Sequence, residues 1–498
     1  MKLAKSLLLG AVAGLTTVAA ASAADLPSRK SAPVEYVKVC NAYGAGFFYI
    51  PGTDTCLKIG GMVQFDARTF TMQRAGSAGS MASAYGRSRN ARDLYGSGIL
   101  GRVELDARNQ TSYGTLRTFI RLDAVHATAS SGVAGSLSMF NSGSNGAILP
   151  AASKDALLAS KAFIQFAGLT AGRAQSMFDF YADAYNNELL RGSNATTNLL
   201  AYTATFGGGF SATLSIEDEV ARRTNVASLI ANKFAGATAT PALEYGETGG
   251  TRMPDVVANL RVDQGWGSAQ LSGALHRVTG LHGGQGNTAT NPLVYPQTIE
   301  GSDRALGWAL QAGVKINLPM LAAGDALYLQ AAYAKGAVSY TNGNNLVYFE
   351  GINNQRHMGQ SQLDGLNSLP HGYAVPYDCV FVVANGKCQL GTSWAITGAF
   401  KHYWTPTVSQ ALVASYYVHE YPNAVAVSAA NAIAPKFKEL RVGTNVFWTP
   451  VKGFDIGAEL MYMRGDWSKF TATVAGVKNT HKLDAQQLES RIVVRRAF

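Results

Sequence analysis

Apolar and polar residues alternate in segments spread over most of the chain. In residues 57–68, LKIGGMVQFDAR, Val63 and Phe65 share one side of an extended backbone, while Asp66 and Arg68 share the other. The same alternation recurs in ILGRVELDAR, LRTFIRLDA, LLAYTATF, LGWALQAGVKINL and LRVGTNVFW. Successive side chains of a β-strand point to opposite faces, so this pattern predicts strands rather than helices.

Short and long connections alternate between the predicted strands. Turns rich in Gly or Pro, such as GGG at 207–209 and WTPT, join the two strands of each hairpin. The long connections are expected at roughly 69–97, 127–158, 178–197, 218–255, 278–304, 336–391, 419–435 and 464–484. This leaves room for about sixteen strands, an even number that suits a closed outer-membrane barrel with short periplasmic turns and long external loops.

A soluble β-sandwich would show the same alternation, so the content of the two faces has to discriminate. Tyr and Trp cluster near the predicted turns, at Tyr403, Trp404, Tyr416, Tyr417, Trp448 and Tyr462. Such rings suit a membrane interface, where the ring body is apolar and its tip is wet. We therefore predict an all-β protein whose residues 57–498 form a transmembrane antiparallel β-barrel.

The last strand is expected to close the barrel. Lipid offers no hydrogen-bond partners, so the strand beginning at Leu57 should pair with the strand ending at Phe498. In QQLESRIVVRRAF, apolar residues would face lipid and charged residues the lumen: Leu488, Ile492, Val494 and Phe498 against Glu489, Arg491 and Arg495. Arg496 breaks this register, and its place near the strand end would let it reach the head groups at little cost.

The first residues, MKLAKSLLLGAVAGLTTVAAASA, carry lysines, a short apolar run and a small-x-small ending. This pattern predicts a cleaved signal peptide over 1–23. The alternative is a membrane anchor, but the run is shorter than the roughly 20 residues that span a bilayer. Export would leave residues 24–56 as a periplasmic N-terminal segment, for which no motif supports a plug or ligand-binding role.

The four cysteines all follow the expected cleavage site. An even number in an exported chain indicates disulfides, and the pairs that close the shortest loops are Cys40 with Cys56 and Cys379 with Cys388. A metal site would need tight ligand pairs with histidines nearby, and the histidines are scattered. We expect no metal and no cofactor.

Other function classes find little support. The formal net charge is +10, but the arginines are spread through alternating segments rather than gathered in a patch, so nucleic acid is not an expected partner. The motifs of serine hydrolases, zinc proteases and phosphate-binding loops are missing from the sequence, so an enzyme is not expected. An adhesin built on the long loops is a further alternative.

Three stretches and the terminal Phe498 resemble the porins of alphaproteobacterial outer membranes; the stretches are VCNAYGAGFFYIPGTDTCLKIGGMVQFDAR, GRAQSMFDFYADAYNNE and LLAYTATFGGGFSATLSIED. The resemblance implies a homotrimer of barrels for passive diffusion of small hydrophilic solutes and ions. It also implies contacts with outer-membrane lipid and lipopolysaccharide, and recognition of Phe498 by the barrel-assembly machinery. A substrate-specific sugar or peptide channel is the alternative, with Phe119, Phe163 and Tyr328 as inward-facing aromatic residues.

Porins of this family fold their third surface loop into the channel, and the third long connection here is DFYADAYNNELLRGSNATTN from Asp179. Its acids Asp179, Asp183 and Glu188 would oppose inward-facing arginines across the pore. The candidates are Arg68, Arg102, Arg108, Arg117, Arg121 and Arg173. Acids facing bases would set a transverse field that favours polar solutes. Salt bridges that merely hold the loop are an equally open interpretation.

Overall fold

The computed structural model describes residues 38–73, 95–127, 154–224, 226–230, 242–248, 251–281, 302–342, 378–382, 387–420, 436–468, 470–474, 477–481 and 484–498. The expected signal peptide at 1–23 and residues 24–37 of the N-terminal segment lie outside this range. The chain divides into two compact units, Met1–Leu57 and Lys58–Phe498.

In the first unit, a disulfide holds the described residues together. A short 3-10 helix, Asn41–Tyr43, is followed by strand β1, Phe48–Tyr49. Cys40 and Cys56 are bonded to each other and are buried together with Phe47. This confirms the pairing expected from the short loop.

The strands that follow, in chain order, are β2 (Cys56–Gln73), β3 (Tyr95–Thr111), β4 (Gly114–Ala127), β5 (Lys154–Phe166), β6 (Leu169–Gln175), β7 (Thr196–Gly207), β8 (Phe210–Glu217), β9 (Val226–Ile230), β10 (Ala242–Thr248), β11 (Asp255–Gln264), β12 (Gly267–Leu281), β13 (Ser302–Asn317), β14 (Ala326–Lys335), β15 (Cys379–Val382), β16 (Lys387–Leu390), β17 (Thr392–Thr405), β18 (Val408–Glu420), β19 (Lys436–Val451), β20 (Phe454–Trp467), β21 (Phe470–Val474), β22 (Val477–His481) and β23 (Asp484–Ala497). Strands β2–β8, β11–β14, β17–β20 and β23 form a closed 16-strand antiparallel barrel.

The two ends of the barrel sequence meet as expected. Strand β2 pairs with β23 from Met62 opposite Ala497 to Gln73 opposite Gln486. Beyond the ladder, the Phe498 amide donates to the Gly61 carbonyl at 3.0 Å, and the Gly61 amide donates back at 3.2 Å. The closure therefore leaves no open sheet edge in the barrel, which a strand facing lipid could not tolerate.

Connections alternate in length around the barrel, as the sequence predicts. The short ones are residues 112–113, 167–168, 208–209, 265–266, 318–325, 406–407 and 452–453. The long ones are 74–94, 128–153, 176–195, 218–254, 282–301, 336–391, 421–435 and 468–483. All seven of the short connections lie at the end of the barrel where the chain also enters β2 and leaves β23.

Several long connections contain regular structure that the sequence analysis did not predict. Strands β9 and β10 form a hairpin, β15 runs parallel to β9, and β21 pairs with β22. A 3-10 helix spans Glu219–Ala221 and helix α1 spans Ser339–Asn342. The disulfide between Cys379 and Cys388 joins β15 to β16, which confirms the second expected pairing.

No helix in the described part of the chain is long and apolar enough to cross a membrane.

The barrel has an apolar outer face and a polar inner face. Val63 and Ile492 are 55% and 56% exposed on the outside, although both are aliphatic. On the inside, Asp66, Arg441 and Arg491 are all at most 1% exposed. A water-soluble protein distributes these residue types the other way round, so the outer face is suited to hydrocarbon.

Aromatic side chains line both ends of the outer face. Near the short turns, exposed rings include Phe206, Phe210, Trp266, Trp404 and Trp448. Near the opposite end, Trp308 packs on Tyr333 and Trp394 on Tyr416. Two of the aromatic residues expected at the membrane interface face inward instead. Tyr417 is fully buried beside Arg191, and Tyr403 lies beside Lys401 on the inner face. Each alternates with an outward-facing neighbour, since only one of two adjacent strand residues can face lipid.

Candidate pore constriction

The third long connection, residues 176–195, lies against the inner wall of the barrel and is called the third loop below. Inward-facing side chains bond its backbone along most of its length. Asn259 donates to the Met177 carbonyl at 2.6 Å, Gln311 to Phe178 at 2.7 Å and Asn445 to Tyr185 at 2.7 Å. These donors belong to β11, β13 and β19, so the loop follows one side of the lumen.

The tip of the loop is held by two arginines of the barrel strands, Arg441 of β19 and Arg491 of β23. The Glu188 carboxylate lies 3.1 Å from the Arg491 guanidinium and 3.6 Å from that of Arg441. Both guanidinium groups also donate to loop carbonyls, Arg441 to Leu189 at 2.6 Å and Arg491 to Asn187 at 3.1 Å. Each arginine thus binds both the Glu188 carboxylate and a backbone carbonyl of the loop.

Two further acidic residues, Glu459 and Glu489, lie close to Glu188 at the tip of the loop. The amides of Asn187 and Glu188 donate to the Glu459 carboxylate at 2.8 Å and 2.6 Å. Burial, with the negative charge of Glu489 nearby, raises the pKa of Glu188 well above its ordinary value of 4.5. A carboxyl group placed beside other carboxylates away from water holds its proton more tightly.

A second group of ion pairs, around Glu439, lies next to the ion pairs of Glu188. The Arg191 guanidinium of the loop makes two bonds to the Glu439 carboxylate, at 2.6 Å and 2.9 Å. Arg441 also donates to this carboxylate, at the oxygen that accepts from Arg191 Nε. All three side chains are buried, and a buried bidentate pair is costly to break because the remaining charge is left without water.

The base of the loop is tied to the connection after β8. Asp179 accepts from Arg222 at 2.9 Å, from the Ala195 amide at 2.6 Å and from the Ser193 hydroxyl. The Arg222 guanidinium in turn lies 4.2 Å from the centre of the Tyr340 ring in α1. The loop base is therefore held from the side of two other long connections.

Asp183 shapes the turn within the loop. Its carboxylate accepts from the Leu190 amide at 2.9 Å and from the amide groups of Asn186 and Asn194 at 2.7 Å and 2.9 Å. Its own φ of 55° lies in the left-handed region, where Asp is better tolerated than most residues. Burial raises the pKa of this carboxyl.

Opposite the loop-bearing strands, β3 and β4 carry the residues that we call the arginine wall: Arg102, Arg108, Arg117 and Arg121. Their side chains are 22% to 27% exposed. Each pairs with a carboxylate of the same two strands. Arg102 lies 2.6 Å from Asp123, Arg108 and Arg117 lie 2.7 Å and 3.0 Å from Asp106, and Arg121 lies 2.7 Å from Glu104.

Two aromatic residues accompany the arginine wall. The rings of Phe119 and Phe163 are stacked with centroids 5.2 Å apart. The Arg117 guanidinium lies 5.2 Å and 5.4 Å from these centroids. An arginine held over aromatic faces in this way is kept flat against the wall.

The remaining predicted arginines occupy different positions. Arg68 is nearly buried on β2 and lies 3.3 Å from Asp66. Arg173 stands opposite Ala162 and exposed Asn198 in the ladders of β6, whereas its neighbour Gly172 stands opposite buried Leu199. This register gives Arg173 the outward side of the sheet, in contrast to the inward position expected from the sequence.

The loop acids make their ion pairs with arginines that were not among the expected constriction residues. Among the described residues, the ion-pair partners of Asp179 and Glu188 are Arg222, Arg441 and Arg491, none of which was proposed as a constriction residue. Alternation along the last strand had already placed Arg491 on the polar face. No sequence signal indicated that the loop would lie on this residue.

Three comparisons with known proteins agree with this architecture. The family model Porin_2, described as a porin subfamily, matches residues 25–492. Over 269 residues the chain is 34% identical to the Omp2b porins of Brucella canis and Brucella melitensis biotype 1. These alignments cover 53% of this chain and 63% of each relative, so the chain spans less than two thirds of the length of these curated relatives.

The solved structures add the fold. The outer-membrane channel DcaP of Acinetobacter baumannii is similar with a TM-score of 0.54 and 14% identity, covering 90% of this chain and 99% of that one. At this identity the likeness concerns the barrel alone. With a family model over almost the whole chain and a closed barrel bearing an apolar outer face, this chain belongs to the porin subfamily of bacterial outer-membrane β-barrels.

Proposed function

We propose that this protein forms a water-filled channel through which small hydrophilic solutes and ions diffuse passively across the outer membrane. The observation that carries the proposal is the polar inner face of a closed barrel whose third loop covers one side only. The arginine wall opposite stays partly exposed. Barrels of this strand number are wide enough for an aqueous channel.

The constriction is proposed to lie between the third loop and the arginine wall. Arg102, Arg108, Arg117 and Arg121 supply charged groups that a passing solute meets, with Arg68 lower in exposure. Asp179, Asp183 and Glu188 contribute by holding the loop in place, because their hydrogen bonds are made to the loop and to the wall behind it. The salt-bridge interpretation of these acids is therefore the one that the contacts support.

The proposed assembly follows the family resemblance. It comprises a cleaved signal peptide, a periplasmic N-terminal segment over 24–56, a homotrimer in contact with lipid and lipopolysaccharide, and insertion by the barrel-assembly machinery. The Phe498 side chain is 70% exposed next to the closing strand pair, which suits recognition by another protein. We propose a channel and not an enzyme.

Reconstitution into planar lipid bilayers tests the channel. Purified, refolded protein is expected to give stepwise ion conductance, in groups of three if the trimer is correct. A reversal potential under a salt gradient would report the charge of the constriction. A folded barrel that inserts and carries no current would contradict the proposal and would favour a role for the long loops in adhesion.

A further inference from the structure

Four aromatic rings meet on the loop side of the lumen. Phe180, Tyr181 and Tyr185 of the third loop surround Tyr328 of β14. Their centroids lie 5.8 Å, 5.2 Å and 5.2 Å from that of Tyr328. Phe180, Tyr185 and Tyr328 are only half-buried, so the lumen can reach this cluster.

The wall is shaped to receive the cluster. Phe180 lies over Gly313 of β13, where an added Cβ would sit 2.3 Å from the Phe180 ring. Tyr328 is the third residue of β14, so the cluster lies near the end of the barrel with the short turns. The glycine at the inward-facing position 313 is explained by the close approach of Phe180 of the loop.

Three cations surround the rings. The Arg261 guanidinium lies 5.6 Å from the Phe180 centroid, the Lys315 ammonium 5.6 Å from that of Tyr328, and the Lys401 ammonium 5.7 Å from that of Tyr185. Arg261 pairs with Asp263 at 2.7 Å. By contrast, no carboxylate of the described residues lies within 4.0 Å of the ammonium group of Lys315 or Lys401.

The hydroxyl groups of Tyr185 and Tyr328 can also donate a hydrogen bond to a ligand. Within the described ranges, the phenols of Tyr185 and Tyr328 have no hydrogen-bond partner, whereas the Tyr181 hydroxyl donates to Asn186 at 2.5 Å. Burial raises the pKa of the Tyr185 phenol, which keeps it a proton donor. We call Lys315, Lys401, Tyr185 and Tyr328 the lysine–tyrosine patch.

The aromatic pair on the opposite wall differs in one respect. Arg117 lies over Phe119 and Phe163, but it is ion-paired with Asp106 at 3.0 Å, a carboxylate that it shares with Arg108. Among the described residues, the lysine–tyrosine patch offers rings together with two ammonium groups that lack an ion pair within 4.0 Å and two hydroxyl donors without a partner. The carboxylates of Asp263 and Asp455 act on Lys315 and Lys401 from a longer distance. A ligand that completes the patch must carry negative charge beside a flat apolar surface.

We propose that the lysine–tyrosine patch is a weak binding site on the permeation path for small organic anions that carry an aromatic ring, such as aromatic carboxylates. The carboxylate binds the two ammonium groups and accepts from a tyrosine hydroxyl, while the ring packs on Tyr185 and Tyr328. Binding is weak because a solute that permeates must also leave. The inference rests on the proposed channel function and adds a substrate class to it.

Ion-current block in planar bilayers tests this inference, with the full chain in a constant background of potassium chloride. Benzoate is expected to reduce the current at a concentration several times lower than acetate does, since acetate lacks the ring. Cyclohexylmethanol and benzyl alcohol, which lack the charge, are expected to block weakly. A neutral sugar that blocks more strongly than benzoate would overturn the assignment to anions.

Substitutions localise the effect. Lys315→Gln with Lys401→Gln should raise the half-blocking concentration of benzoate about tenfold, as expected when charge-assisted contacts are lost in a partly solvated site. Tyr328→Leu should bring benzoate close to acetate, while Tyr328→Phe should retain most of the preference. Lys452→Gln removes one charge from an exposed turn and should leave the block unchanged.

The outcomes separate the two proposals. Conductance without any preference for benzoate over acetate overturns the binding site and leaves the channel intact. No conductance in the unsubstituted protein overturns the channel itself. The comparison of benzoate with acetate needs no substitution, so it decides the matter even where a variant fails to fold.

Discussion

The two sides of the barrel interior use arginine in different ways. On the loop side, Arg191, Arg441 and Arg491 are at most 2% exposed, and each bonds carboxylates together with the loop or its neighbours. On the arginine wall, side chains keep 22% to 27% of their surface, and the ion pairs described for them are made to carboxylates of β3 and β4. The same residue type is buried as a structural ion pair beside the loop and stays partly exposed to the lumen on the arginine wall.

Removing the loop should have the largest effect on this difference. Deletion of residues 180–195 takes away the element that narrows the lumen, while the strand ladders that close the barrel stay complete. We expect single-channel conductance to rise, on the order of twofold or more, because a wider pore conducts more ions. An unchanged conductance in planar bilayers would remove this loop from the constriction.

The next effect concerns stability. Arg491→Met leaves the carboxylates of Glu188 and Glu489 buried without their shared partner, and it should lower the free energy of unfolding by about 3–5 kcal/mol. The matched change Arg108→Met on the arginine wall should cost about 1 kcal/mol or less, since that pair is partly in water. Denaturant unfolding in detergent micelles compares the two. Equal losses would mean that burial by the loop does not distinguish the two sides.

A smaller effect is expected from pH. The pKa of Glu188 is raised above its ordinary 4.5, so between that value and the raised one the folded protein binds more protons than the unfolded chain. Stability therefore falls as pH rises through this window, by up to about 1.4 kcal/mol per pH unit for one proton. Glu188→Gln should flatten this part of the curve, measured from unfolding midpoints between pH 5 and 8. An unaltered slope in the variant would assign the proton to another group.

The smallest effect is on ion selectivity. Arg121→Gln removes a partly exposed charge from the arginine wall and should shift the ratio of anion to cation permeability towards cations, by about twofold. Arg191→Gln removes a charge of the loop itself that is buried against Glu439, and it should change this ratio much less. Reversal potentials under a salt gradient measure both. A larger shift for Arg191→Gln would reverse the roles that we give to the two sides.

The local sequence pattern predicted the barrel well, but it did not predict which residues contact the third loop. The strand faces, the alternation of turns and long connections and both disulfides follow from residues close in sequence, and all are present in the structure. Arg173 shows the limit of this approach. A polar residue in a strand was assigned inward, but the ladder of β6 puts it beside Asn198 on the other side.

The loop contacts lay beyond prediction for a different reason. Glu188 and Arg491 are 303 residues apart in sequence, and nothing local couples them. Asp179 likewise meets Arg222, a residue of a long connection that has no alternating pattern to place it. Which carboxylate meets which arginine depends on strand register and on the path of the loop, both of which result from the closed barrel.

The sequence by itself determined that this chain is a closed β-barrel with an apolar outside, because alternation decides the side of a strand on which each residue lies and lipid forbids a free edge. Only the tertiary structure decided which inner wall the third loop covers. That choice separates the buried Arg441 and Arg491 from the partly exposed arginine wall, because burial under the loop, not residue type, determines whether a charge stays accessible from the lumen.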